Sequence, residues 1–269
     1  MLARDLPWRE RRDPWATLVS EVMLQQTSVA RVREPWARFL EAFPTAAACA
    51  RAPLDEVLVR WRGLGYPRRA RHLRLAAVAI EERHGGQVPA SMPELLALPG
   101  VGPYTAAAVA SFAFDEPVTV LDTNVGRILA RAVANRPLST REARDLAQRV
   151  RGRSASAAFN QSLLDLGAQF CRARARCESC PIARACRWRA EGGDDPAPRS
   201  AAVSKAQPAY EGSDRQLRGR ILAALEAKPA RRDFEATFAT VDASRMSDVL
   251  AGLARDGLVD LERLRLARH

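Results

Sequence analysis

The sequence predicts an all-α protein, on three observations. Alanine and leucine dominate the apolar residues while aromatic residues make up only 6% of the chain, a balance that favours helices over sheets. From Asp13 to about Cys186, apolar residues recur at helical spacing in one segment after another, and no run alternates for long enough to demand a sheet. The connections are short and carry Pro and Gly: FPT, GLGYP, GGQVP, LPGVGP and DEPV.

Asp13-Pro14 reads as an N-cap followed by proline at the first helical position. The stretch WATLVSEVMLQQTSVARV then predicts one strongly apolar helix in the middle of the domain. Further helices are expected near 34–42, 53–61, 67–83, 91–97, 103–112, 124–133, 139–151 and 156–169. Cys49 stands alone in an alanine-rich helix. Residues 191–213 lose hydrophobic periodicity, gather Gly, Pro, Ala and Ser, and read as a linker. Residues 214–269 resume with a basic amphipathic helix, a short helical stretch near 231–238, a third helix ending at Gly257, and the alternating stretch LVDLERLRLAR. That order suggests a small winged-helix-like module. With fewer than 60 residues its core is marginal, so docking on the large domain or on DNA is expected. Arg215, Arg218 and Arg220 on its first helix are candidates for that contact.

Composition narrows the partners. The 269-residue chain carries a formal charge of +11, which favours nucleic acid or an acidic surface. No apolar run reaches the ~18 residues of a membrane span, and the N-terminus has no signal-peptide pattern. A cytoplasmic, nucleoid-associated bacterial monomer is expected. Lysine occurs only at Lys205 and Lys228, so residues 1–204 hold arginine as their only cationic side chain apart from histidine.

Four motifs carry chemistry. Cys171, Cys177, Cys180 and Cys186 stand in C-x5-C-x2-C-x5-C spacing, close enough for four thiolates to converge on a metal ion or an iron–sulfur cluster. Their loop also holds Arg172, Arg174, Arg176 and Arg184, suited to gripping a polyanion. LPGVGPYTAAAV (98–109) places Gly100 and Gly102 around a tight turn before a helix. Read functionally this is a helix–hairpin–helix that holds a DNA backbone; read blandly it is a Gly-Pro turn. In LDTNVGRIL, Asp122 precedes a helix. It is an N-cap, a carboxylate that faces a developing cation, or both, since a capping aspartate stays ionised. Glu21 lies inside a very apolar helix, where low dielectric raises a carboxyl pKa toward that of a general acid; the alternative is an edge glutamate paired with arginine. Gln25 and Gln26, one turn on, can read or replace a base. Tyr66 follows a Gly-Leu-Gly turn beside the basic run Arg68, Arg69, Arg71 and Arg74. It is either a wedge between bases or a core tyrosine beside a solvated arginine face.

LPWR at 6–9, SEVMLQQT at 20–27, GLGY at 63–66, LPGVGPYTA at 98–106, LDTNV at 121–125, FNQSLLDLGA at 159–168 and the four cysteines occur in this order. Over residues 5–190 they resemble the MutY-type adenine DNA glycosylases of the endonuclease III superfamily. The resemblance implies a two-lobed helix–hairpin–helix domain over 1–190, DNA between the lobes, and a [4Fe-4S] cluster on the four cysteines. It also implies removal of adenine paired with 8-oxoguanine or guanine in double-stranded DNA. Glu21 falls on the glutamate that protonates adenine and Asp122 on the aspartate that stabilises the sugar cation. Tyr104 lies at the hairpin position and Asn124 beside the sugar. Gln161 matches a contact to the flipped adenine. Leu6, Trp8 and Arg9 fall on the substrate side, the latter two at the pocket entrance; Gln26 and Tyr66 match residues that intercalate near the opposing base.

Departures sharpen this reading. Bifunctional relatives cleave the strand through a lysine at the position of Tyr104, and residues 1–204 have none, so a strong lyase step is not expected. The first cysteine spacing is x5 where the family usually has x6, which keeps zinc as an alternative; Thr123 replaces a common glycine, and Pro67 a common tyrosine. Residues 214–269 are too short for the large 8-oxoguanine-reading C-terminal domain that family members commonly carry. Three rival readings are a thymine or uracil mismatch glycosylase, a bifunctional oxidised-pyrimidine glycosylase and a non-catalytic iron–sulfur DNA sensor. The pairing of Glu21 with Asp122 argues against the sensor, because binding alone needs neither.

Overall fold

The apolar periodicity is realised as helices, and among the described residues there is no strand. The computed structural model describes residues 4–152, 156–203, 209–226 and 231–260. The chain forms two compact units. One comprises Met1–Glu21, Pro89–Ala97 and Val101–Gln207; the other comprises Val22–Val88, Leu98–Gly100 and Pro208–His269.

The first unit contains α1 (Pro7–Glu10), most of α2 (Pro14–Leu24), α7 (Met92–Leu96), α8 (Pro103–Phe114), α9 (Thr123–Ile128), α10 (Thr140–Arg151), α11 (Ser156–Gln169) and α12 (Arg187–Glu191). Helix α2 starts as expected: the Asp13 side chain accepts from the Ala16 N–H at 2.6 Å. It is mostly apolar and enclosed, with Trp15, Leu18, Val19 and Met23 all buried alongside the polar Thr17, Ser20 and Glu21. Helix α8 is likewise enclosed, with Ala106 through Ala110 buried in a row. The segment expected as one helix over 124–133 runs from α9 into a π-helical turn, Leu129–Ala134. Leu129–Ala132 on that turn are all buried, the guanidinium-bearing Arg131 among them.

The second unit holds α3 (Val29–Ala42), α4 (Ala46–Arg51), α5 (Leu54–Arg60) and α6 (Arg68–His84). Ala46 and Cys49 on α4 and Ala70, Leu73, Ala76, Ala77 and Ile80 on α6 are buried, and small side chains let the two backbones approach closely. Cys49 is therefore a core residue. The same unit includes α13 (Asp214–Glu226), α14 (Arg231–Thr237) and α15 (Ala243–Arg255), which pack around Leu217, Ile221, Phe234, Phe238, Val249 and Leu253 and against Leu58 of α5. The alternating stretch read as a strand falls mostly on 261–269, outside the described residues.

Two expectations are corrected in detail. The single helix over 15–32 is two helices, because α2 stops at Leu24 and α3 starts after Ser28. The cause is Arg69, buried on α6, whose guanidinium takes the carbonyls of Val22, Met23 and Gln25 at 2.9, 2.8 and 2.5 Å. The last carbonyls of α2 thus find a cation in place of further helical N–H groups. Gln25 and Gln26 accordingly sit in the turn after the helix. In the stretch read as a linker, residues 194–203 fold back on the first unit. Asp195 pairs with Arg131 at 2.5 Å, Ala197–Arg199 form a 3₁₀ turn, and Ala201 N–H reaches the Leu138 carbonyl at 2.9 Å.

Candidate active site

Four of the sequence-picked residues converge in the first unit: Glu21 near the end of α2, Tyr104 in the first turn of α8, and Asp122 and Asn124 at the start of α9. Glu21 is buried, and its Oε2 has no hydrogen-bond partner among the described residues. Burial raises its pKa from the ordinary 4.5 to about 7; a hydrogen bond from the Tyr104 hydroxyl pulls the other way, and the nearby Asp122 carboxylate adds to the rise. Tyr104 is held well above the ordinary tyrosine value by burial and by Glu21 and Asp122, so it is a donor at neutral pH.

Asp122 is the N-cap of α9, as its position before the helix suggested. Its Oδ1 accepts from Val125 N–H at 2.8 Å and its Oδ2 from Asn124 Nδ2 at 2.6 Å. Burial pushes its pKa up, against these hydrogen bonds and the more distant Arg127. Both carboxyls of the pair are therefore raised, and hydrogen bonds favour the ionised form of each: the Tyr104 hydroxyl at Glu21, and the Val125 N–H and the Asn124 amide at Asp122. The Asn124 Oδ1 accepts from Arg127 at 2.6 Å, and Arg127 Nε reaches the Cys171 carbonyl at 2.6 Å.

Sequence reasoning missed the residues that hold this arrangement. Asn160 on α11 accepts from Val120 N–H at 3.1 Å and donates to Ser111 Oγ and the Val118 carbonyl, each at 2.9 Å, which fixes the strand of chain leading to Asp122. Gly167 faces Asn124, and a Cβ there would lie 2.6 Å from the Asn124 Cβ. Asp165, buried, takes Arg9 in a two-pronged pair at 2.7 and 2.8 Å and Arg4 at 2.5 Å. Asn160, Asp165 and Gly167 all lie inside the quoted FNQSLLDLGA motif. Leu6 and Trp8 are buried, so the LPWR segment is anchored by its apolar residues and by Arg9 together. Gln161 is half-buried on α11.

Gln25, Gln26, Tyr66 and Gly100 belong to the second unit. Gly100 has φ +76°, and a Cβ would come within 2.5 Å of the His72 Cβ, so the hairpin turn needs glycine there. Gly102 is the N-cap of α8, with Pro103 at the first helical position.

Cys171, Cys177, Cys180 and Cys186 line one pocket together with Phe170, Ile182 and Trp188. Among the described residues, no three His, Cys, Asp or Glu side chains stand at the spacing that holds a metal ion. Arg131 is buried behind the loop. It donates to the Arg172 and Ala173 carbonyls at 2.6 and 3.0 Å, lies 3.5 Å from the Cys171 Sγ, and sits over the Trp188 ring. Arg172, Arg174, Arg176 and Arg184 are exposed on the outer side.

A model of the HhH-GPD superfamily of base excision DNA repair proteins matches residues 19–151. The chain is 42% identical over 264 residues to the adenine DNA glycosylase of Mycolicibacterium smegmatis, covering 96% of this chain and 88% of that protein. The chain belongs to the adenine DNA glycosylase family. It is a DNA N-glycosylase of the helix–hairpin–helix superfamily, and α7, the Gly100–Gly102 turn and α8 are its hairpin. Among solved structures it is similar to a thermostable thymine-DNA glycosylase (TM-score 0.65, 28% identity, 70% of this chain and 89% of that one). It is similar also to endonuclease III in a non-covalent complex with DNA (TM-score 0.63, 28% identity, with the same coverage of both chains). No helix among the described residues is long and apolar enough to cross a membrane.

Proposed function

We propose that this glycosylase removes adenine paired with 8-oxoguanine or guanine in duplex DNA, by hydrolysis without a strong strand-cleaving step. The observation that carries the reading is Glu21: a buried carboxyl with one unpartnered oxygen and a pKa near 7, beside a second carboxyl held by a helix N-terminus. A glycosylase must bring its target base out of the stack. Once there, adenine needs a proton to become a leaving group, and a carboxyl that is half protonated near neutral pH supplies it. As the glycosidic bond lengthens, positive charge grows on the sugar, and the Asp122 carboxylate faces it, the arrangement of paired carboxyls in glycoside cleavage. Tyr104 orients Glu21 through its hydroxyl, and Asn124 orients Asp122.

The reading extends to the family's other features. Cys171, Cys177, Cys180 and Cys186 would hold a [4Fe-4S] cluster. Four cysteines lining one apolar-walled pocket are the thiolate donor set that such a cluster takes. Bound there, it would staple the arginine-bearing loop as a DNA-facing surface. Tyr104 occupies the position where bifunctional relatives carry lysine, which supports hydrolysis over Schiff-base chemistry. We further take residues 1–190 as the glycosylase domain, with 214–269 as an appended module.

The likeness to a thymine-DNA glycosylase makes base identity the point to test. Single-turnover release is measured from duplexes with A opposite 8-oxoguanine, A opposite guanine and T opposite guanine, with borohydride in a parallel set. Adenine release without an efficient borohydride adduct is expected. Thymine release would move the chain to the mismatch-thymine branch, and an efficient adduct would overturn the hydrolytic step.

A further inference from the structure

Beyond the last cysteine the chain does not leave the first unit. Gly192 and Gly193, with φ +74° and +94°, turn it back at the end of α12, and the Gly193 carbonyl accepts from Trp188 Nε1 at 3.2 Å. Asp195 follows and takes Arg131 in two prongs, Nε to Oδ1 at 2.8 Å and Nη2 to Oδ2 at 2.5 Å, while its Oδ1 also accepts from Ala197 N–H at 3.0 Å. The strap is fastened again beyond that pair. Ser200 Oγ accepts from Leu138 N–H at 3.2 Å and donates to the Pro196 carbonyl at 3.0 Å, and Ala201 N–H reaches the Leu138 carbonyl. Ala202 lies against α9, where a Cβ on Gly126 would stand 2.9 Å from the Ala202 Cβ.

Arg131 is where the strap, the cysteine loop and the π-helical turn meet. It is 1% exposed, and a guanidinium buried to that degree needs an anion and partners for its N–H groups. Asp195 supplies the anion. The remaining hydrogen bonds go to the loop: Nη1 donates to the Arg172 carbonyl at 2.6 Å and lies 3.5 Å from Cys171 Sγ, and Nη2 donates to the Ala173 carbonyl at 3.0 Å. The Trp188 ring covers its face at 5.3 Å. A planar fork held along one edge cannot turn, so Asp195 on one side fixes what the guanidinium presents to the cysteine loop on the other.

We propose that residues 194–203 are a clasp on the cysteine loop and that Asp195 is its positioning residue, setting Arg131 against Cys171 so that the loop keeps its [4Fe-4S] cluster. The inference rests on the cluster assignment proposed above. A cluster held by four thiolates brings negative charge into an apolar pocket, and a fixed cation beside one sulfur offsets the cost of burying it. Partners of this kind, one step removed from the metal, orient the ligands that touch it. Without Asp195, Arg131 becomes an uncompensated buried cation. It then turns toward water and releases the Arg172 and Ala173 carbonyls that it holds beside Cys171. The cofactor site therefore reaches past residue 190 to residue 203, into a stretch whose composition is that of a linker.

The test takes the full chain purified with its cluster and follows iron released to a ferrous-iron chelator, together with the loss of the cluster's visible absorbance. Asp195→Asn should release iron about tenfold faster than the parent or more, the usual effect of losing a partner that orients a metal ligand. Asp195→Glu keeps the carboxylate and should recover part of that difference; a rate as fast as that of Asp195→Asn would deny the carboxylate its role. Asp194→Asn alters an exposed neighbour, 3.9 Å from Arg199, and should match the parent. Ser200→Ala removes the fastening at Leu138 without touching Arg131. Its release should also be faster than the parent's, and it decides the matter if Asp195→Asn fails to fold. Release from Asp195→Asn at the parent's rate, or equal acceleration in Asp194→Asn, would overturn the clasp and leave the cluster assignment standing. A parent chain that carries zinc, or no iron, would remove the cluster assignment and this inference with it.

Discussion

The Tyr104 hydroxyl donates to the Glu21 carboxyl, while Oε2 of Glu21 has no hydrogen-bond partner among the described residues. The hydrogen bond favours ionised Glu21, burial opposes it, and burial is the larger effect. Removing the hydroxyl in Tyr104→Phe therefore takes away the leading influence that lowers the Glu21 pKa. The alkaline fall in base release should shift to higher pH in this variant, read from a single-turnover pH series. A shift to lower pH, or none, would show that the hydroxyl does not act on Glu21.

The same carboxyl links stability to pH. Its folded pKa, about 7, exceeds the ordinary 4.5, so the folded state keeps a proton that the unfolded chain has lost between those values. Stability then falls as pH rises from about 4.5 to about 7, by an amount on the order of 3 kcal/mol from this group. Glu21→Gln should remove that dependence and leave the variant more stable than the parent at pH 8. Denaturant titrations at pH 5 and pH 8 check this, and a Gln variant less stable at pH 8 contradicts it.

Asp165 behaves in the opposite sense. Burial raises its pKa, but hydrogen bonds from Arg9 and Arg4 outweigh burial, and the net value lies below the ordinary 3.8. Its stabilisation is present above that ordinary value and is lost as pH falls through the folded pKa. Asp165→Ala leaves Arg9 without its carboxylate and should cost about 3–5 kcal/mol near neutral pH. Thermal unfolding of the variant measures the loss, and a cost under about 1 kcal/mol would show the pair to be dispensable.

Gly167 tests how tightly the Asp122 turn is held. Gly167→Ala puts a methyl 2.6 Å from the Asn124 Cβ and 2.8 Å from its carbonyl oxygen, so backbone must move. A destabilisation of about 1–3 kcal/mol is expected. Base release should slow further than folding loss explains, because Asn124 carries the hydrogen bond to Asp122. Release rates measured well below the melting temperature separate the two effects; an unchanged rate there would detach Gly167 from the site.

Arg69 is the most demanding of the arginines. Its guanidinium serves five carbonyls and the Thr27 hydroxyl, a pattern that needs a planar fork, so lysine cannot replace it. Arg69→Lys should loosen residues 25–27 and 64–66 together. Amide exchange at those positions should rise in concert, and an increase at only one of the two turns would refute the shared clamp.

The sequence made some of this legible and concealed the rest for physical reasons. Glu21 stood out because a carboxyl inside an apolar helix is rare, and Asp122 because a helix start has a readable cap. The four cysteines and the Gly100 turn were visible as spacing. Arg69 was not distinguishable from Arg68 and Arg71, since three of the five carbonyls it serves lie more than forty residues away. Asp165 and Arg9, 156 residues apart, likewise meet only through the fold. The break after Leu24 escaped because the local pattern is helical, and a distant cation overrides it. Asp122 capped its helix as its position suggested, and its hydrogen bonds favour the ionised form that the capping argument expected, yet burial outweighs them and lifts its pKa.

The central claim is that Glu21 delivers the proton that makes adenine a leaving group. Single-turnover adenine release from A opposite 8-oxoguanine, measured from pH 5 to pH 9 with the parent chain and Glu21→Gln, addresses it directly. Release should decline above about pH 7, approaching tenfold per pH unit, and should be abolished in the variant at every pH. Release that is flat across this range, or that persists in Glu21→Gln, would contradict the claim.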